Sequence, residues 1–270
     1  MYKRQVEVNL NNTSYIYVTD PETQEETIVK ELYSGQNREW VSYDQIPEML
    51  VNVTIAAEDK RFLEHHGVDW LRTIRSTLGY FGGSSRVQGG STITQQLIKQ
   101  TVLSSEQSYK RKLQEAYLAM ELETRYTKKQ ILESYLNTIF LGGSYYGVRV
   151  AAYGYFGKSL DQLTLRECAM LAGLTRSPNY YNPRSNFYTR NTEGSSTPDI
   201  TNNRTDYVLR QMRENGLITA QQYNAALDRS TASVLEKSPA STDMYAYPHY
   251  VEYAISDVAV SYTHLTLPTT

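Results

Sequence analysis

Apolar residues recur at helical spacing through most of the middle of the chain, so nearly every element they predict is an α-helix. Ile46, Met49, Leu50 and Val53 share one stripe behind Pro47, which suits a first helical turn, and the stripe runs toward Ala56-Ala57-Glu58-Asp59. A second helix is predicted from Val68 to Tyr80, ended by Gly82-Gly83-Ser84-Ser85 in a loop that continues to Gly89-Gly90. Thr92-Ile93-Thr94-Gln95 fits a capping box that opens a helix reaching about Leu103. After Ser104-Ser105 a long helical pattern places Leu113, Ala116, Tyr117 and Met120 on one stripe. Another follows Thr127, with Ile131, Leu132, Tyr135, Leu136 and Ile139 in step. Thr164 and Glu167 cap an apolar helix that carries Cys168 and runs to Leu174, with Pro178 and Pro183 beyond it.

The flanks read differently. Asn9 to Leu32 has β-leaning stretches such as Tyr15-Ile16-Tyr17-Val18, interrupted by Asp20-Pro21, and is expected to be irregular or edge-strand material. Residues 184–203 are polar and rich in Ser, Thr and Asn, which predicts a loop. Two further helices are expected, Arg204 to Asn215 and one capped by Thr219 and Gln222 up to about Leu227. The sum is a mostly α multi-helix globule with minor β at the N-terminus. Its expected divisions are 1–40, a main domain at 41–230, and a linker at 231–270 toward a further domain. Met1 to Gln5 and Ser261 to Thr270 resemble translated sequencing-adapter DNA, which predicts an internal piece of a longer gene product.

Composition narrows the class. With 270 residues, 40% hydrophobic and 21% charged, the chain is neither a multi-span membrane protein nor a disordered polyelectrolyte. A net charge of −2 argues against a nucleic-acid partner held by bulk positive charge. The lone cysteine, Cys168, excludes a disulfide framework and a cysteine-based zinc site, and the four histidines lack metal-ligand spacing. Charge is unevenly spread. Residues 1–50 carry four basic and nine acidic side chains, whereas 58–135 carry twelve basic and nine acidic, so the cationic excess coincides with the motif-like sequence. No apolar run approaches the roughly 18 residues that a membrane span needs.

Three places have the residue types for chemistry. Glu58-Asp59 precedes the aromatic and histidine segment Phe62 to Gly67, and a carboxylate desolvated there could serve as an acid or base; helix capping, or pairing with Lys60 or Arg61, is the alternative. Gly89-Gly90 feeds the helix that starts at Ser91-Thr92, where free N–H groups, the hydroxyls of Ser91, Thr92 and Thr94, the Gln95 amide and Lys99 suit a phosphate; an ordinary capped helix explains the same residues. Lys110-Arg111-Lys112 stands before Glu115, either as a cationic grip beside a second carboxylate or as a surface Arg111–Glu115 pair. The tyrosines at 109, 117, 126 and 135 are expected in core and rim positions.

The combination is more specific than its parts. Glu58-Asp59-x-x-Phe62-x-x-His65-x-Gly67, Gly90-Ser91-Thr92-Ile93-Thr94-Gln95-Gln96-Leu97-x-Lys99 and Arg111-Lys112-x-x-Glu115 occur in order. They are followed by Lys128-x-x-Ile131-Leu132-Glu133-x-Tyr135-Leu136-Asn137 and by a stretch from Gly147-Val148 to Asn182-Pro183. Together these blocks resemble the peptidoglycan glycosyltransferase domain of class A penicillin-binding proteins and monofunctional transglycosylases, glycosyltransferase family 51. Gln100 stands where that family usually has Asn, Ala57 where Ile is common, and the chain holds no Ser-x-x-Lys of a transpeptidase.

The resemblance implies a lysozyme-like α fold and polymerisation of lipid II at the extracytoplasmic face of a bacterial membrane. It implies Glu58 as general base and Glu115 as the carboxylate assisting the leaving group. Ser91, Thr92, Gln95, Lys99, Arg111 and Lys112 are the expected contacts to the diphosphate, with Asp59, Phe62, His65, Gly67 and Asn137 in support. A divalent cation, magnesium or manganese, would assist by neutralising diphosphate, without an assigned ligand set. Lipid II, the growing glycan chain, the membrane surface and other cell-wall synthesis or division proteins are the implied partners. Trp70 to Phe81 is expected to face the membrane on the donor side. The rival readings are a lysozyme-like muramidase and a non-catalytic scaffold or glycan-binding module.

Overall fold

The computed structural model describes residues 14–19, 26–32, 38–81, 89–103, 108–186, 198–227 and 235. The expected Gly/Ser loop at 82–88 and the linker beyond 235 lie outside them. Two antiparallel strands, β1 (Ser14–Thr19) and β2 (Glu26–Leu32), pair with one irregularity between Ile16 and Tyr17. All else of regular length among the described residues is helical. The order is α1 (Glu48–Glu58), α2 (Trp70–Phe81), α3 (Ile93–Thr101), α4 (Tyr109–Arg125), α5 (Lys128–Thr138), α6 (Val148–Phe156), α7 (Leu165–Leu174), α8 (Pro198–Glu214) and α9 (Ala220–Leu227). The mostly α class with minor N-terminal β is what the patterning predicted.

Local chemistry sets the helix starts. Pro47 caps α1, its fixed φ near the helical value and its carbonyl accepting from the N–H of Leu50. Reciprocal capping boxes open α3 (Thr92 with Gln95), α5 (Thr127 with Gln130) and α7 (Thr164 with Glu167). Each satisfies helix-end N–H groups that would otherwise lack partners.

The helices form two groups around one continuous core. Helix α1 packs on α7 and α8, and α7 also meets α9; α3 packs on α4 and α5. Helix α6 touches both α5 and α7 and so bridges the groups. Leu50, Val53, Phe62, Ile93, Ile131, Tyr135, Leu171 and Val208 belong to the same buried cluster. The segment before α1 is tied down by Asn137 of α5, whose side chain accepts the N–H of Val41 and donates to its carbonyl, both at 2.8 Å.

Two expectations need correction. Leu113 and Tyr117 are exposed (73% and 63%), and α4 instead buries Glu115 and Ala119, because this helix turns a carboxylate rather than its largest apolar side chains inward. Tyr126 at the rim and Tyr135 in the core stand as expected, and the side chain of Tyr109 lies outside the described residues. Helix α8 begins at Pro198, six residues before the expected start. Its buried stripe opens with Thr201, Arg204 and Thr205, so polar residues hid a pattern that becomes visibly apolar only at Val208, Leu209 and Met212.

Candidate active site

Glu58 is the last residue of α1, and its carboxylate sits where four helices meet. One oxygen, Oε2, accepts from Gln96 Nε2 of α3 at 2.7 Å, and the other, Oε1, accepts from the hydroxyl of Thr175 at the end of α7. Tyr135 of α5 completes the set by donating its hydroxyl to Gln96 Oε1 at 3.0 Å. Burial first, then the nearby charges of Glu58 and Asp59, push the Tyr135 phenol well above its ordinary range, so it stays a donor. Arg204 of α8 also feels the Glu58 charge. Burial lowers that guanidinium's pKa and Glu58 pulls it back up. Neither Lys60 nor Arg61 pairs with Glu58, since Lys60 reaches Gln211 and Arg61 forks onto Asp69.

Asp59, fully buried, fixes the geometry on the other side. Its Oδ2 accepts from His65 Nε2 at 2.9 Å and from the backbone N–H of Ile93, the first residue of α3, at 3.0 Å. An anion on that helix N-terminus is favoured by the helix dipole as well as by the hydrogen bond. Arg72 of α2 lies 3.8 Å from Asp59 Oδ1 and donates to the carbonyl of Glu58. Phe62 is buried under the ammonium of Lys128, 4.3 Å from the ring centroid, and Lys128 also donates to the carbonyl of His65. At Gly67, φ is +85° and a Cβ would stand 2.5 Å from the carbonyl oxygen of Ala119, so only glycine lets this loop rest on the backbone of α4.

Glu115, 1% exposed, is held by Lys112 one turn earlier, and the same ammonium donates to Ser91 Oγ at 2.8 Å. The pair is therefore Lys112–Glu115, not the Arg111–Glu115 pair considered from spacing; Arg111 is partly buried beside it. Glu58 bonds Gln96 directly and Glu115 reaches Ser91 through Lys112, so both glutamates are tied to the segment from Ser91 to Gln96 at the start of α3.

The residues expected on a diphosphate divide into two sets. Ser91, Lys99, Arg111 and Lys112 retain at least partial exposure. Thr92 and Gln95 are buried instead, Thr92 Oγ1 donating to the Gly67 carbonyl at 2.6 Å and Gln95 closing the capping box. The glutamine that faces the site is its neighbour Gln96. With Tyr135, Thr175 and Arg204 it was missed as a site residue, although its spacing was informative: Gln96 and Lys99 stand three apart on one helical face.

Among the described residues no three His, Cys, Asp or Glu side chains come together as a metal site. An open groove of about 480 Å3, lined by Met49, Leu165, Met212 and Ile218 among others, lies between α1, α7, α8 and α9. It includes neither Glu58 nor Glu115.

The family described as Transglycosylase matches residues 25–213. The chain belongs to the transglycosylase family. Among its relatives, penicillin-binding protein 1A of Clostridium botulinum (strain Hall) is 43% identical over 231 residues, covering 83% of the chain and 27% of that protein. Penicillin-binding protein 1A of Aquifex aeolicus is 38% identical over 239 residues, covering 86% and 31%. Penicillin-binding protein 1A/1B of Bacillus subtilis is 38% identical over 230 residues, covering 83% and 24%. A crystal structure of penicillin-binding protein 1A from Haemophilus influenzae aligns at a TM-score of 0.49 and 24% identity, over 94% of this chain and 25% of that one. The chain spans about a quarter to a third of the length of the curated relatives it matches.

Proposed function

We propose that this domain polymerises lipid II into glycan strands, with Glu58 as the general base. A sugar 4-hydroxyl attacks the anomeric carbon of a lipid-linked sugar; its proton passes to Glu58, the new C–O bond forms, and the bond to the lipid diphosphate breaks with inversion. The observation that carries the reading is the placement of Glu58: a partly exposed carboxylate at the end of a buried helix, gripped by Gln96 and Thr175. A base oriented in advance by fixed donors loses little on reaching its transition state.

The leaving diphosphate needs compensation for its growing charge. Lys112, between Ser91 and Glu115, is placed to provide it, with Arg111 beside it on α4 and Lys99 on the Gln96 face of α3. Glu115 holds the Lys112 ammonium in position and so assists departure without touching the reacting sugar. Hydrolysis of a neutral glycan would not call for such a cationic wall, which favours synthesis over the muramidase reading.

A lipid carrier brings the reaction to a bilayer surface at the extracytoplasmic face. Trp70, Leu71 and Ile74 of α2 are each more than half exposed, as a helix resting on lipid would have them. No helix among the described residues is long and apolar enough to cross a membrane.

The test is polymerisation of purified lipid II by the Glu58→Gln variant. The expected outcome is intact folding and a loss of at least about a hundredfold. Polymerisation near the parental rate overturns the assignment. Glycan fragments released from purified cell wall, in place of chains made from lipid II, would support hydrolysis.

A further inference from the structure

The Glu58 carboxylate is met by side chains from α3 and from the end of α7, the first of them held in turn from α5, and the direction of each hydrogen bond is constrained. Tyr135 is fully buried, and its hydroxyl donates to Gln96 Oε1. That fixes which end of the Gln96 amide faces Glu58, because an amide whose oxygen is engaged turns its NH2 the other way. Thr175 has one hydroxyl hydrogen and two acceptors in reach, Glu58 Oε1 and the carbonyl of Ala172 at 2.7 Å.

Resting on the reading of Glu58 as base, we infer that Tyr135, Gln96 and Thr175 form a positioning relay that satisfies Glu58 in both of its protonation states and so holds it oriented through turnover. When Glu58 is ionised, Gln96 Nε2 and the Thr175 hydroxyl donate one bond to each oxygen. When it has taken the proton from the acceptor sugar, the carboxyl O–H turns onto Thr175 Oγ1, and the threonine hydrogen swings to the Ala172 carbonyl. Gln96 goes on donating to Oε2, now the carbonyl oxygen. Both Glu58 oxygens and the Gln96 amide keep a partner in either state, and the change falls on the Ala172 carbonyl, which receives the threonine hydrogen only when Glu58 is protonated. None of the three needs to touch substrate; all are positioning residues.

The direction of the amide is the sensitive point. Without the Tyr135 hydroxyl the amide is free to flip, and its oxygen would then oppose the Glu58 carboxylate. A base displaced by about 1 Å loses on the order of a hundredfold in rate.

The experiment is a double-mutant cycle on lipid II polymerisation, with kcat and KM measured for Tyr135→Phe, Gln96→Leu, the double variant and Glu58→Gln. Tyr135→Phe should lower kcat by about tenfold to a hundredfold and leave KM within about twofold, since substrate contacts are untouched. In the Gln96→Leu background the same change should cost nothing more, because the hydroxyl acts only through that amide. A full kcat in Tyr135→Phe, or the same loss in both backgrounds, overturns the relay. If Tyr135→Phe fails to fold, Thr175→Val is read against Thr175→Ser: the valine should lower kcat and the serine restore it, and a valine variant at the parental rate overturns the inference. Glu58→Gln separates the two claims. Activity retained there removes the base itself, whereas an inactive Glu58→Gln beside an unimpaired Tyr135→Phe removes only the relay.

Discussion

Asp59 Oδ2 accepts the backbone N–H of Ile93 at 3.0 Å, joining the residue that follows the last turn of α1 to the first residue of α3. One carboxylate thereby sets the distance between Glu58 and the segment that carries Ser91 and Gln96. Asp59→Ala should destabilise the fold by about 2–4 kcal/mol, through the lost cap and the stranded partners His65 and Arg72. Denaturant unfolding measures it. A change under about 0.5 kcal/mol would show that the clip contributes nothing.

Gly67 carries the loop between α1 and α2 over α4. Gly67→Ala forces a Cβ to within 2.5 Å of the Ala119 carbonyl oxygen at a φ of +85°. We expect a loss of about 3 kcal/mol or more, well above the usual cost of a left-handed alanine, because the obstacle is backbone and cannot swing aside. A melting temperature within a few degrees of the parent would contradict the close approach.

Asp69 gives the fold an acid-sensitive element. Burial alone would raise its pKa, but the hydrogen bonds from Arg61 and from the Arg72 backbone N–H, with the charge of Arg61, outweigh burial and hold it below 3.8. The carboxylate therefore contributes stability that is complete above its unfolded pKa and is lost as pH falls through the lower folded value. Asp69→Asn should be less stable than the parent by a constant amount above about pH 5, with the gap closing below about pH 4. A gap that stays constant down to pH 3 would refute the linkage.

Cys168 lies on α7 at 0% exposure, and burial followed by the charge of Glu167 pushes its thiol up to about 12. In the folded protein both access and thiolate are lacking. Labelling by a thiol reagent at pH 8 should track global unfolding measured by circular dichroism. Rapid labelling of the native protein would disprove the burial.

Much of this arrangement was legible in the sequence because it is local. Thr92 with Gln95 and Thr164 with Glu167 mark their helix starts by spacing alone, and the Ile131–Ile139 stripe gives α5 its buried face. Glu58 and Glu115 stood out by their neighbours. Gln96, Thr175 and Tyr135 did not, since what joins the first two to Glu58, and Tyr135 to Gln96, is contact across 38, 117 and 39 positions of chain. The early turns of α8 stayed hidden for another reason: Thr201, Arg204 and Thr205 are buried by hydrogen bonding and ring stacking, which no hydropathy pattern records. Helix α6 shows little periodicity in the sequence, because Val148–Phe156 is short and mixes Gly154 with tyrosines.

The grip on Glu58 draws donors from both helical groups, Thr175 from one and Gln96 from the other. A small molecule wedged into the seam between them that moved the two groups apart by even about 1 Å would slow turnover on the order of a hundredfold while leaving the sugar and phosphate contacts open. Inhibitors of this kind need not imitate the substrate at all, and changes that weaken a substrate mimic would leave them effective.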